Sequence, residues 1–163
     1  MRLSEAARAE AQSFDRVAAE YDRLGELNGD DEFGPWLEGL LPAARGRALD
    51  IGCGTGHHAV LLAERFEHVD AIDVSAPMIE LAQARRPRPN VTYRQVDLHE
   101  VDGPGRYDLV TSALTLHHVP SLHRALSHIG TLLAPGGRMI VVDVYHGGPA
   151  AWPRQLLRRV NAY

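Results

Sequence analysis

The chain has 163 residues, of which 45% are hydrophobic and 23% charged, enough for one core and too apolar for a largely disordered segment. A formal charge of −4 supplies no overall positive field for nucleic acid or an anionic membrane. All 17 permanent cations are Arg, so Schiff-base catalysis, a phosphate-loop lysine and a lysine general base are excluded; the single Cys53 excludes an intrachain disulfide or a Cys-rich zinc site.

In chain order, Met1 to Glu10 is charged and Ala-rich, without the apolar stretch of a signal peptide. No apolar run approaches the roughly 18 residues of a membrane span, and the cytoplasm is the expected compartment. From Ser4 to about Leu24, Phe14, Val17, Ala18 and Tyr21 recur three and four apart, which predicts an amphipathic helix. A polar loop (Gly25 to Asp31) leads to a short segment around Trp36, Leu37, Leu40 and Leu41 that Pro42 closes. Strands are then predicted at Ala48–Ile51, Val69–Val74, Val91–Gln95, Asp108–Ser112 and Met139–Val144. Helices are predicted between them at His57–Phe66, Ala76–Arg85 with Ser75 as N-cap, and Ser121–Leu133 before Pro135-Gly136-Gly137. This alternation predicts an α/β fold: a doubly wound, mainly parallel sheet with helices on both faces. Ligands of such sheets bind at the carboxyl ends of the strands.

Asp50-Ile51-Gly52-Cys53-Gly54-Thr55-Gly56 places an acid and three glycines where the first strand turns into a helix. Glycines there permit a sharp turn and let a ligand lie against the backbone; a tight turn without a ligand is the plainer reading of that triplet alone. A dinucleotide fingerprint requires glycine where His57 stands. Asp50, Asp73 and Asp97 fall at the ends of the first three strands, which predicts three acids side by side on the ligand edge. Asp73 is placed for ribose hydroxyls, Asp97 for the exocyclic amine of adenine, and Asp50 for a cationic rather than phosphorylated ligand. Singly, each is ordinarily a solvated or capping residue.

Leu49–Gly56, Ala71–Ser75 with Met78, Val96-Asp97-Leu98 and Leu132–Val141 together resemble the ordered motifs of class I S-adenosylmethionine-dependent methyltransferases. The resemblance covers about Phe14 to Val144, and Phe14–Asp22 is similar to the N-terminal arm of small-molecule members, including those of quinone biosynthesis. It implies a Rossmann-like fold and S-adenosylmethionine as cofactor. It implies that Asp50 and the turn of Gly52, Cys53, Gly54 and Gly56 hold the methionine part, and that Asp73 takes the ribose hydroxyls. Val74 and Met78 would flank the adenine, Asp97 would bond its amine with Leu98 beside it, Ser112 and Ala113 would line the path to substrate, and Tyr21 would close over the methionine carboxylate. The implied activity is direct displacement of the methyl group onto a small-molecule acceptor, with no nucleic acid or membrane partner. We expect one domain over 1–163: a helical arm at 1–45, a cofactor-binding core at 46–145 and an incomplete C-terminal part at 146–163.

The run Ser112-Ala113-Leu114-Thr115 lacks the Pro-Pro motif of enzymes that methylate amino groups of adenine or glutamine. Cys53 lies in the glycine turn, away from where a cytosine-attacking thiol would stand. Neighbouring histidines rarely point the same way, so His57-His58 and His117-His118 are not expected to hold a metal. His117 is the candidate general base, against the alternative that it packs beneath the pocket. A nicotinamide oxidoreductase lacks support in the glycine spacing and would want a Tyr-x-x-x-Lys pair; a non-catalytic, cofactor-binding remnant is the other alternative. Five of the family's seven strands are expected, with the tail entering a helix near Pro153. The fifth strand's outer edge is then open, and self-association through it is expected.

Overall fold

Apolar runs form the parallel strands β1 (Arg47–Ile51), β2 (His68–Asp73), β4 (Tyr107–Ala113) and β5 (Leu133–Val142), and the more polar β3 (Val91–Gln95) joins them. The computed structural model describes residues 4–23, 33–41, 46–103, 105–143 and 158–161. A sixth strand, β6 (Arg158–Asn161), runs antiparallel to β5, and the order across the sheet is β3-β2-β1-β4-β5-β6. Helices α1 (Glu5–Asp15), α2 (Phe33–Leu40), α3 (His57–Ala63), α4 (Ala76–Arg85) and α5 (Leu122–Leu132) accompany the strands. Short 3-10 turns occupy Ala18–Glu20, Leu98–Glu100 and Leu116–His118.

Each face of the sheet buries its own apolar cluster. On one, Ala48, Val69, Ala71 and Leu109 pack with Leu37 of α2, Ala59 and Leu62 of α3, and Ile79 and Ala82 of α4. On the other, Leu49, Ile51, Ile72 and Val110 pack with Ala125, Ile129 and Leu132 of α5 and with Val96, Leu98 and Val101. Strands covered on both faces bury residues in succession rather than alternately, as β1 does from Ala48 to Ile51 and β4 from Leu109 to Ser112. Two acids are buried within these strands: Asp50 in β1, and Asp70 in β2, whose side chain is 5% exposed. Asp70 accepts from Tyr107 Oη at 2.9 Å and Arg47 Nη2 at 3.2 Å, with Arg94 and Arg106 within 4 Å. Burial works to raise its pKa, but these donors and His68 overcome it and hold the carboxyl below its ordinary value.

Ser75 begins its helix as the sequence reading expects, and Ser121, expected as the first helical residue, instead caps a helix that starts at Leu122. Ser75 Oγ accepts from Met78 N (3.3 Å) at α4, and Ser121 Oγ accepts from Arg124 N (3.4 Å) at α5. Three further local expectations need correction. The N-terminal helix is broken: α1 ends at Asp15 and a 3-10 turn follows. Asp15 Oδ1 takes the Ser75 hydroxyl at 2.6 Å and Ala18 is buried, so tertiary contacts outweigh the helical period and carry the arm from the start of α4 to its last turn. β5 begins at Leu133, earlier than expected, with a register shift between the Tyr107 and Leu109 pairings. A Cβ at Gly137 would stand 2.8 Å from the carbonyl oxygens of Ala134 and Tyr107.

The third correction concerns the tail. Residues 158–161 are strand, not helix, and the Arg138↔Asn161 to Val141↔Arg158 pairing covers the β5 edge that was expected to lie open. The expectations for Gly25–Asp31, Pro42, Val144 and a helix starting at Pro153 fall outside the described residues. Among the described residues no helix is long and apolar enough to cross a membrane.

Candidate cofactor and acceptor site

The strand order reverses direction at β1, flanked by β2 and β4, and the crevice above that switch point is where doubly wound sheets hold ligands. A cavity of about 420 Å³ lies there. Its floor is the ends of β1, β2 and β4, its side the segment Val96 to Glu100, and its cover the N-terminal arm through Ser4, Ala7, Glu10, Phe14 and Tyr21.

The three motif glycines prove to have different reasons. All have positive φ. A Cβ on Gly52 would stand 2.1 Å from Thr115 Oγ1, and one on Gly56 2.7 Å from Tyr93 Oη, so these two make room for the protein's own side chains. At Gly54 the nearest atom to such a Cβ is Tyr21 Cε1 at 3.7 Å. Gly54 lines the cavity, leaving its backbone open to a ligand.

Asp73 Oδ2 accepts from Gly54 N and Oδ1 from Ser75 N, both at 2.9 Å. Burial, joined by the nearby Asp50 charge, outweighs these hydrogen bonds and raises its pKa. Asp97 accepts from His99 N at 3.0 Å through Oδ1 and from Ser4 Oγ at 2.9 Å through Oδ2, tying α1 to the cavity wall. Each carboxylate oxygen keeps a lone pair for a ligand hydroxyl or amine.

Of the sequence-predicted residues, Tyr21, Gly52, Gly54, Asp73, Val74, Met78, Asp97, Leu98 and Ala113 line the cavity. Asp50, Cys53, Gly56 and Ser112 do not. Asp50 lies one residue short of the strand end, paired in register with Ala71 and Thr111, so the three acids are not side by side. Sealed at 1% exposure, it accepts from Thr111 Oγ1 at 2.9 Å, while its buried Oδ2 has no partner among the described residues. Burial pushes its carboxyl up to about 7. Burial likewise pushes the Cys53 thiol up, with Asp73 and Asp50 adding to the shift, so it stays protonated. Ser112 Oγ, also buried, likewise has no partner among the described residues.

Sequence reasoning overlooked Ser4, Ala7 and Glu10 of the arm and, after β4, Leu114, Thr115 and His118 as lining residues. Leu114, lining the cavity at φ +52°, is the non-glycine residue in the left-handed region among those described. His117 and His118 follow on one 3-10 turn with ring centroids 3.8 Å apart, contrary to the expectation that neighbours diverge. His117 is held by Asp143, whose Oδ2 accepts from His117 N at 3.0 Å and whose Oδ1 lies 2.5 Å from His117 Nδ1. His118, not the expected His117, lines the cavity.

A profile described as "Methyltransferase domain" matches residues 48–137. The malonyl-[acyl-carrier protein] O-methyltransferase of Pectobacterium atrosepticum is 34% identical over 150 residues, covering 88% of this chain and 58% of that protein. The ubiquinone biosynthesis O-methyltransferase of Paracidovorax citrulli is 30% identical over 139 residues, covering 79% and 58%. In the DhpI–SAH complex the likeness is 28% identity at a TM-score of 0.77, over 99% of this chain and 82% of that one. The chain spans about three fifths of the length of the curated relatives it matches.

Proposed function

The chain belongs to the class I S-adenosylmethionine-dependent methyltransferases, and from that premise we propose that it moves a methyl group to a small-molecule acceptor by direct displacement. The observation that carries this reading is the meeting, in one cavity, of the open Gly54 backbone with the carboxylates of Asp73 and Asp97. That set of acceptors suits a cationic nucleoside without phosphates. When bound, S-adenosylmethionine supplies a methyl carbon activated by its cationic sulfur.

The chain's own residues then have separable tasks. Asp73 accepts the ribose hydroxyls while its bond to Gly54 N fixes the turn beneath the ligand. Val74 and Met78 flank the adenine, and Asp97 accepts from its amine. Tyr21, poised over Gly54, closes on the methionine part with the arm excluding water. Holding nucleophile, carbon and sulfur in line is the main catalytic contribution such a site makes. The relatives named above act, by their names, on malonyl-[acyl-carrier protein] and in ubiquinone biosynthesis. The acceptor proposed for this chain is a small molecule that reaches the cavity past Thr115 and His118.

Calorimetric titration of the chain with S-adenosylmethionine, and separately with a nicotinamide cofactor, tests the reading; only the first is expected to bind. Asp73→Ala should weaken that binding by about 1.5–3 kcal/mol for each charge-assisted hydrogen bond lost. It should also lower the melting temperature modestly, because Gly54 N and Ser75 N lose their acceptor. Unchanged affinity in a folded variant would remove Asp73 from the site.

A further inference from the structure

His118 stands where the arm, the turn after β4 and the end of β5 converge. Its Nδ1 lies 2.9 Å from Glu10 Oε1 on α1, and Phe14, one helical turn further, packs edge-on against its ring at 5.2 Å between centroids. The His117 ring lies against it on its own turn, backed by Asp143. Glu10, Phe14 and His118 all line the cavity. A carboxylate beside Nδ1 draws the ring proton to that nitrogen and leaves Nε2 as the basic one. Among the described residues Nε2 has no polar partner.

We propose that His118 is the proton acceptor of the methyl-transfer step, with Glu10 as its positioning residue, and that the acceptor is a small phenol or primary amine. This rests on the methyltransferase reading above. The departing sulfide is too weak a base to take a proton, so a phenol O–H, or an amine that enters as its ammonium, needs a base nearby to free the attacking lone pair. The acceptor's oxygen or nitrogen forms the bond to the methyl carbon, and the carbon–sulfur bond breaks with its electron pair on sulfur. The released proton passes to Nε2, giving an imidazolium that Glu10 faces, and then to water. Burial and the His117 ring lower the His118 pKa while Glu10 and Asp143 act to raise it, leaving the ring neutral and basic at pH 7. His117 cannot serve in the same way, because Asp143 holds both its main-chain N–H and Nδ1 and it does not line the cavity.

The test uses the whole chain in two arms. Without cofactor, the ring protons of His118, assigned with His118→Gln, are titrated by NMR in the wild type and in Glu10→Gln. Loss of the Glu10 charge is expected to lower the His118 pKa; an unchanged titration overturns the pairing. With S-adenosylmethionine, catechol and 2-phenylethylamine are offered as acceptors. At least one is expected to be methylated, with kcat falling on acidification through the His118 ionisation. His118→Gln should cost about 10²–10⁴-fold in kcat with cofactor affinity little changed. Glu10→Gln should move the acid limb to lower pH, following the NMR shift. Retained kcat in His118→Gln, or a parallel loss of cofactor affinity, overturns the assignment. A chain that binds S-adenosylmethionine but methylates neither probe overturns the acceptor class. A wild type that does not bind S-adenosylmethionine overturns the underlying methyltransferase reading, and the NMR arm is unaffected by that failure.

Discussion

Asp50 holds a carboxyl whose pKa burial lifts from 3.8 to about 7, with one oxygen on Thr111 and the other without a partner among the described residues. Between those values the folded chain binds a proton that the unfolded chain releases, so this group's effect on stability worsens as pH rises from about 4 to 7. Asp73, also raised, acts in the same direction, His118 in the opposite one, and the lowered acids Asp22 and Asp70 act below pH 4. Asp50→Asn should therefore flatten the fall in melting temperature between pH 5 and 8 and stabilise the cofactor-free chain at pH 8 by about 1–4 kcal/mol. A wild-type melting profile identical to that of the variant across this range would contradict it. Gly54 is the other residue with a sharp outcome. Gly54→Val places a branched side chain at φ +50°, a strain on the order of 1–3 kcal/mol, and fills the space a ligand must use. Circular dichroism should show a retained fold, and calorimetry no binding of S-adenosylmethionine.

The element that most shapes the site is the arm. It is fastened at four points: Ser4 on Asp97, Glu10 beside His118, Asp15 on Ser75, and Asp22 on Arg85 and Arg86 at 2.9 and 3.1 Å. Asp22 also takes the Thr55 hydroxyl, which links the arm to the glycine turn. Burial works to raise the Asp22 pKa, and Thr55 with the two guanidiniums overcomes it and holds it low. Asp22→Ala should free the end of the arm while the two-faced core stays folded. Because Arg is the only trypsin site in the chain, limited trypsin digestion reads this directly. Cleavage at Arg16 and Arg23 should accelerate by roughly 5- to 150-fold, matching about 1–3 kcal/mol of lost local stability. Equal cleavage rates would mean that the apolar contacts of Phe14 and Ala18 hold the arm without Asp22.

On the scale of the whole molecule, β6 decides how the sheet ends. Met139, Ile140 and Val141 would otherwise present unpaired amides and carbonyls beside a β-branched surface, the arrangement that invites edge-to-edge pairing. Removing residues 158–163 uncovers it. Size-exclusion chromatography with light scattering should find the shortened chain associating at concentrations where the 163-residue chain does not. Identical elution of both would show that β6 does not protect the edge.

The sequence by itself determined the parallel β/α frame, the order of the motifs and most of the cofactor side of the cavity. Those features rest on local causes: apolar runs buried on both faces, Ser75 as a cap, and an acid at the end of β2. Only the tertiary structure decided which motif residues face the cavity. Asp50 pairs with Ala71, two residues short of Asp73, so it is sealed beneath the turn while Asp73 reaches the rim, and composition carries no record of register. The structure likewise divided the glycines, since a clash with Thr115 or Tyr93 depends on residues far away in the chain. It broke the helical period at Asp15, because Ser75 lies 60 positions along the sequence yet within hydrogen-bond reach. It brought Glu10 to His118 for the same reason: a pair 108 positions apart becomes neighbours only when the arm folds back across the strand ends.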